Sequence, residues 1–170
     1  MGEAAGTSGA GRFGRLRRAI EWWAVLGGSV LLAIALMSAW SAATGWLLGK
    51  PLPGDFELTE VFVAVAVFAF LPYCQQTGAN VTADLFTAGA GPRATAAFRL
   101  FGTVLALAVA LLLAWRTGAG LLDYRQFVET TAILKIPIWW AYVPALASLL
   151  LLVLACVIAL ADDLRALLRG

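Results

Sequence analysis

IPIWWAYVPALASLLLLVLACVIALA, residues 136–161, runs from Lys135 to Asp162 without one charged side chain. A helix rising about 1.5 Å per residue needs about 20 apolar residues to cross roughly 30 Å of hydrocarbon. These 26 residues suffice. Lipid offers the backbone no hydrogen-bond partner, so a segment of this composition satisfies its own amides as a helix.

Three further windows follow the same rule. Residues 22–48 lie uncharged between Glu21 and Lys50 and begin and end with tryptophan, at Trp22-Trp23 and Trp46, where an interfacial belt places it. A second span is expected over about 57–78, becoming polar at Gln75-Gln76-Thr77-Gly78. The third covers about 99–122, with Arg116 snorkelling toward the interface. The reading is an all-α integral membrane domain of four transmembrane helices over residues 22–161. Composition agrees, with 62% hydrophobic and 13% charged residues, against roughly a quarter charged in soluble domains.

Connections are short and carry turn chemistry, as in Gly49-Lys50-Pro51-Leu52-Pro53-Gly54 and Gly89-Ala90-Gly91-Pro92. No internal repeat emerges. Residues 1–21 form a basic tail in which Phe13, Leu16 and Ile20 recur at helical spacing beside Arg12, Arg15, Arg17 and Arg18; a short amphipathic helix on a membrane surface is expected, with a disordered tail as the alternative. The apolar run that follows is longer than a signal-peptide core, so no cleavage is expected. Residues 162–170 form the C-terminal tail.

Basic residues set the orientation. With both termini cytoplasmic, Arg12, Arg15, Arg17, Arg18, Arg93, Arg99, Arg165 and Arg169 lie inside, and only Lys50, Arg116, Arg125 and Lys135 lie outside.

The chain contains no histidine, and Cys74 and Cys156 both sit in apolar stretches rather than in a metal-binding or disulfide pattern. No enzyme activity, metal or cofactor is expected. Nor is nucleic acid, since no basic run extends beyond the N-terminus. Span one has almost no ionisable groups, which argues against a drug-exporting antiporter. Among the polar residues, Glu57 and Glu60 share one face at the start of span two, where a helix dipole favours carboxylates. The expectation for Glu60 is an ion pair with Arg116, Arg125 or Lys135. Gln75 and Gln76 are placed to bond across helices or to face headgroups.

Three motifs now carry a resemblance. Pro51-Leu52-Pro53-Gly54-Asp55-Phe56-Glu57-Leu58 resembles the stretch that opens the second helix in small membrane subunits of tripartite ATP-independent periplasmic (TRAP) transporters. Gly78-Ala79-Asn80-Val81-Thr82-Ala83-Asp84-Leu85 is similar to the pattern closing that helix. Leu134-Lys135-Ile136-Pro137-Ile138-Trp139-Trp140-Ala141-Tyr142 resembles the lead into the last helix. The chain departs from the family at Gly45-Trp46, at Gln76-Thr77 and at Asn80, where an arginine, a basic pair and a histidine are common.

The resemblance implies a bacterial inner-membrane protein that scaffolds a large, many-helix membrane subunit. That subunit works with a periplasmic solute-binding protein and takes up solute, organic acids in such families, on an ion gradient. Pro51, Glu57, Leu58, Gly78, Asp84, Pro137, Trp139 and Tyr142 are then structural motif residues. Gly27, Gly28, Ala33, Ala35, Trp139, Trp140 and Tyr142 become candidates for the subunit interface, the alternatives being lipid contact or packing inside the bundle. Asp123–Lys135 is a candidate docking segment for the binding protein. The competing reading is a stand-alone membrane protein, an assembly factor or a homo-oligomeric channel-like bundle.

Overall fold

Helix α1 spans Thr7–Leu48, α2 Asp55–Thr77, α3 Pro92–Gln126 and α4 Trp139–Arg169. The computed structural model describes residues 7–77 and 92–169, with side chains from 14–77 and 98–164. Gly78 and Asp84, and with them the second motif, lie outside the described residues. Each helix contains a stretch long and apolar enough to cross a membrane: Gly14–Leu48, Asp55–Thr77, Phe98–Gln126 and Trp139–Leu164.

The four expected spans are therefore all present, with shifted ends. The basic segment assigned to a separate surface helix is instead continuous with span one, since no proline interrupts residues 7–48 and α1 runs unbroken. At about 1.5 Å per residue its 42 residues reach roughly 63 Å, twice the hydrocarbon thickness. Exposed Trp22 and Trp40 sit 18 residues apart, about 27 Å along α1. That spacing matches the two interfaces where tryptophan collects. The fourth span begins at Trp139 rather than Ile136, because residues 136–138 belong to a β-hairpin.

Packing follows the order α1, α2, α4, α3: α2 lies against both α1 and α4, and α3 leans on α4. Small side chains make the crossings. A Cβ on Gly27 would stand 2.7 Å from that of Ala69 in α2, so the two backbones meet at van der Waals distance only because Gly27 has none. Ala66, Ala69 and Pro72 of α2, Ala110 of α3, and Ala145, Leu149, Ala155 and Cys156 of α4 are buried. Lipid tails are as apolar as leucine, so association rests on such close fit and on interhelical hydrogen bonds. One of these joins α1 to α4, where Trp23 Nε1 donates to Ser148 Oγ at 2.9 Å and Ser148 in turn donates to the Pro144 carbonyl at 2.8 Å. Most other large apolar side chains, among them Leu36, Phe101, Leu112 and Leu150, stay exposed.

Candidate functional site: the hairpin cap and the terminal clasp

Polar chemistry gathers at the two ends of the bundle. At one end α1 stops where Gly49 takes φ +65° and donates from its N–H to the Gly45 carbonyl at 3.1 Å, a left-handed C-cap followed by Pro51. Pro51 folds back against Gly45. Buried Ser41 of α1 then fastens the loop: its hydroxyl donates to Asp55 Oδ2 and accepts from the Leu52 N–H at 3.1 Å. Asp55 Oδ1 also accepts the Phe56 N–H at 2.7 Å, which suits a carboxylate among the orphan amides of a helix start. One turn further in, Ser38 and Thr59 hydroxyls meet at 3.1 Å.

The segment from α3 to α4 turns as a small hairpin. Thr130 pairs antiparallel with Pro137, Thr131 N–H donates to the Ile136 carbonyl at 2.9 Å, and Ile138 N–H donates to the Glu129 carbonyl at 3.1 Å. Lys135 closes the tip in the left-handed region at φ 56°. Glu57 holds that tip from α2. Its Oε1 accepts the Ile133 N–H at 2.7 Å and its Oε2 the Leu134 N–H at 3.0 Å, so both oxygens are engaged by one loop. Charge-assisted bonds of this kind are the stronger sort. Beneath the tip, Leu134 lies directly on Gly54, whose φ of +77° and lack of a Cβ make room for it.

Aromatic contacts continue the same end. Tyr124 and Tyr142 rings lie 5.1 Å apart, Tyr142 fits against Gly120, and Trp139 stands edge-on to Trp140 at 6.1 Å. The Arg125 guanidinium lies 5.8 Å from the Trp139 ring centre, within cation–π range.

The opposite end brings the start of α1 and the end of α4 together. Two adjacent carboxylates divide the work there: Asp162 pairs with Arg17 of α1 at 3.6 Å, and Asp163 reaches α3, accepting the Thr103 hydroxyl at 2.8 Å with Arg99 at 3.9 Å. Consecutive helical residues point about 100° apart, so one dipeptide can address two neighbours. Thr103 is buried and the Asp163 side chain is only 15% exposed. Replacing Asp163 by alanine should therefore cost about 1–3 kcal/mol, through the stranded Thr103 hydroxyl more than through the screened Arg99 pair. Equilibrium unfolding in mixed micelles measures it, and a cost unchanged when Thr103 is first replaced by valine would place the effect elsewhere.

Several sequence expectations can now be located. Glu57 and Leu58 open α2, with the Leu58 N–H donating to the Gly54 carbonyl at 3.0 Å. Pro137 pairs in the hairpin, and its carbonyl takes the Trp140 N–H at 3.1 Å as α4 begins. The ion pair expected for Glu60 is not formed: among the described residues no salt bridge joins it to Arg116, Arg125 or Lys135, and Arg125 faces Trp139 instead. Gly27 and Gly28 pack inside the bundle, against Ala69 and Phe70, rather than offering an outer face. Ala33, Ala35 and Trp140 are exposed. Ser41, Asp55, Thr103 and Asp163 were not singled out from the sequence. The Gly54-Asp55 pair before an apolar run is a helix-start signal that would have found one of them.

Among the described residues no group of histidine, cysteine, aspartate or glutamate gathers as a metal site. What the fold and both ends define is a multi-pass helical membrane protein whose polar side chains serve to tie helices and loops together. A family model described as tripartite ATP-independent periplasmic transporters, DctQ component, matches residues 34–166, and the chain belongs to that family. It is a small permease subunit of the TRAP type, a transporter component of the inner membrane. No curated protein matches the chain.

Glu57 yields a direct test of the hairpin cap. In Glu57→Gln an amide replaces one acceptor and turns its own N–H groups toward backbone donors. Hydrogen exchange at the Ile133 and Leu134 amides should then accelerate selectively, with the α2 and α4 amides unchanged; equal protection in both proteins would remove the cap.

Proposed function

We propose that this chain is the static scaffold of a tripartite transporter. It holds a large, many-helix membrane subunit in the bilayer so that the mobile part of that subunit carries solute, an organic acid, inward on an ion gradient after delivery by a periplasmic binding protein. The family match over residues 34–166 is the observation that carries this reading. The disposition of polar groups supports it, because Glu57, Asp55, Asp162 and Asp163 are committed to the chain's own helices and loops while the outer apolar faces remain available.

In the same proposal both termini are cytoplasmic and the hairpin end is periplasmic, following the excess of arginine at the terminal end. The exposed Phe127, Val128 and Ile133 beside the hairpin then face the binding protein. Purification of the tagged chain in mild detergent tests the scaffold role. A larger multi-helix subunit should accompany it in fixed ratio, and transport in liposomes should require both. A homo-oligomer alone, or solute movement by this chain in otherwise empty liposomes, would overturn the proposal. Labelling of a cysteine placed at Lys135 from the periplasmic side tests the orientation.

A further inference from the structure

Among the described residues α2 and α3 share no extensive contact; both flank α4, and between them lies a cleft of about 280 Å³. Its walls are Ala64 and Phe68 from α2 and Thr117 from α3, with Ala141, Tyr142 and Ala145 of α4 as the floor. The lining is apolar apart from two hydroxyls. Two ionisable groups stand on the same two helices close to these walls. Glu60 lies one turn from Ala64 toward the hairpin end on the same stripe of α2, and Arg116 adjoins Thr117 on α3. Both are exposed, and neither forms a salt bridge among the described residues. Charges inside a span are costly and call for a named partner.

We propose that this cleft holds one acyl chain of a zwitterionic phospholipid, its phosphate at Arg116 and its ammonium at Glu60. The depth of the two charges supports this occupant. Counted from the cleft that Ala64 and Thr117 both line, Glu60 is four residues toward the hairpin end along α2, about 6 Å, and Arg116 is one residue in the opposite direction along α3. Going from hydrocarbon toward water, the cation comes first and the anion second. A phosphoethanolamine headgroup presents its charges in the complementary order, phosphate next to the acyl chains and ammonium beyond it. The long arginine side chain snorkels up to the phosphate level. An anionic headgroup leaves Glu60 unanswered.

The inference is independent of the transporter reading and is tested on the full chain. Native mass spectrometry of the purified protein, titrated with dioleoyl phosphatidylethanolamine or dioleoyl phosphatidylglycerol, should show the ethanolamine lipid retained about tenfold better, the worth of one charge-assisted bond. Glu60→Gln, at an exposed position, should abolish that preference while leaving both lipids bound. Arg116→Gln should weaken both about tenfold, and Arg116→Lys should restore them. Ala64→Phe fills the cleft and should remove binding altogether. Equal retention of the two lipids by the unaltered chain, unchanged retention in Ala64→Phe, or photo-crosslinking of position 64 to a partner protein would overturn the proposal.

Discussion

Gly27→Leu is expected to destabilise the bundle by about 3 kcal/mol and to loosen α1 from α2. The reason is geometric. Even the first carbon of a side chain at this position would stand 2.7 Å from the Ala69 Cβ and 3.5 Å from the Ala66 carbonyl oxygen, so the whole leucine needs the helices to part. In lipid, parting gains nothing from hydrophobicity and loses the dispersion contacts that hold the pair. The swap Gly27→Ala with Ala69→Gly moves the methyl from one helix to the other and should recover most of what Gly27→Ala alone loses. Unfolding by denaturing detergent, read as helix content, provides the comparison. If Gly27→Leu matches the unaltered chain, α1 does not cross α2 at this glycine.

That crossing also shows which parts of the fold were legible in the sequence. The spans were, because charge-free windows of sufficient length have one stable solution in a bilayer. The turn at Gly49–Gly54 was too, through its glycines and prolines. Gly27 was read as a candidate face for a partner; small residues mark close helix approach, but nothing in one sequence says whether the approaching helix is internal. The hairpin was hidden for a different reason. Ile136-Pro137-Ile138 are the first residues of the uncharged window of span four, and a short apolar stretch reads equally well as extended chain or helix. Pro137, which has no N–H to donate, was the available hint that the helix starts after it.

Glu57 illustrates the limit for the candidate site. Its position at a helix start is explained by the helix dipole alone, and its real partners are backbone amides 76 and 77 residues away, which no side-chain pattern announces. In the sequence Asp162 only marks the end of a hydrophobic window, and Asp163 carries no signal of its own. The structure gives the pair two separate tasks, toward α1 and toward α3. Charges that bound a span are thus also groups well placed to bind its neighbours, since they sit where the chain leaves hydrocarbon.

The hairpin's seat is where the second large effect should appear. Gly54→Ala is expected to cost about 2–3 kcal/mol, combining about 1–2 kcal/mol for a β-carbon at positive φ with the overlap against Leu134. Gly54 has φ +77° and is buried under the Leu134 side chain, which cannot simply lift because Glu57 grips the Ile133 and Leu134 amides from below. The two components separate in a double variant. Leu134→Ala should relieve the overlap in Gly54→Ala and recover roughly half of the loss, while the backbone component persists. In the same variant the left-handed turn at Lys135 should become more accessible to protease, since the tip it closes would be pushed off α2. Full additivity of the two substitutions would mean that Leu134 and Gly54 do not touch, and the coupling of loop to helix start would then rest on Glu57 alone.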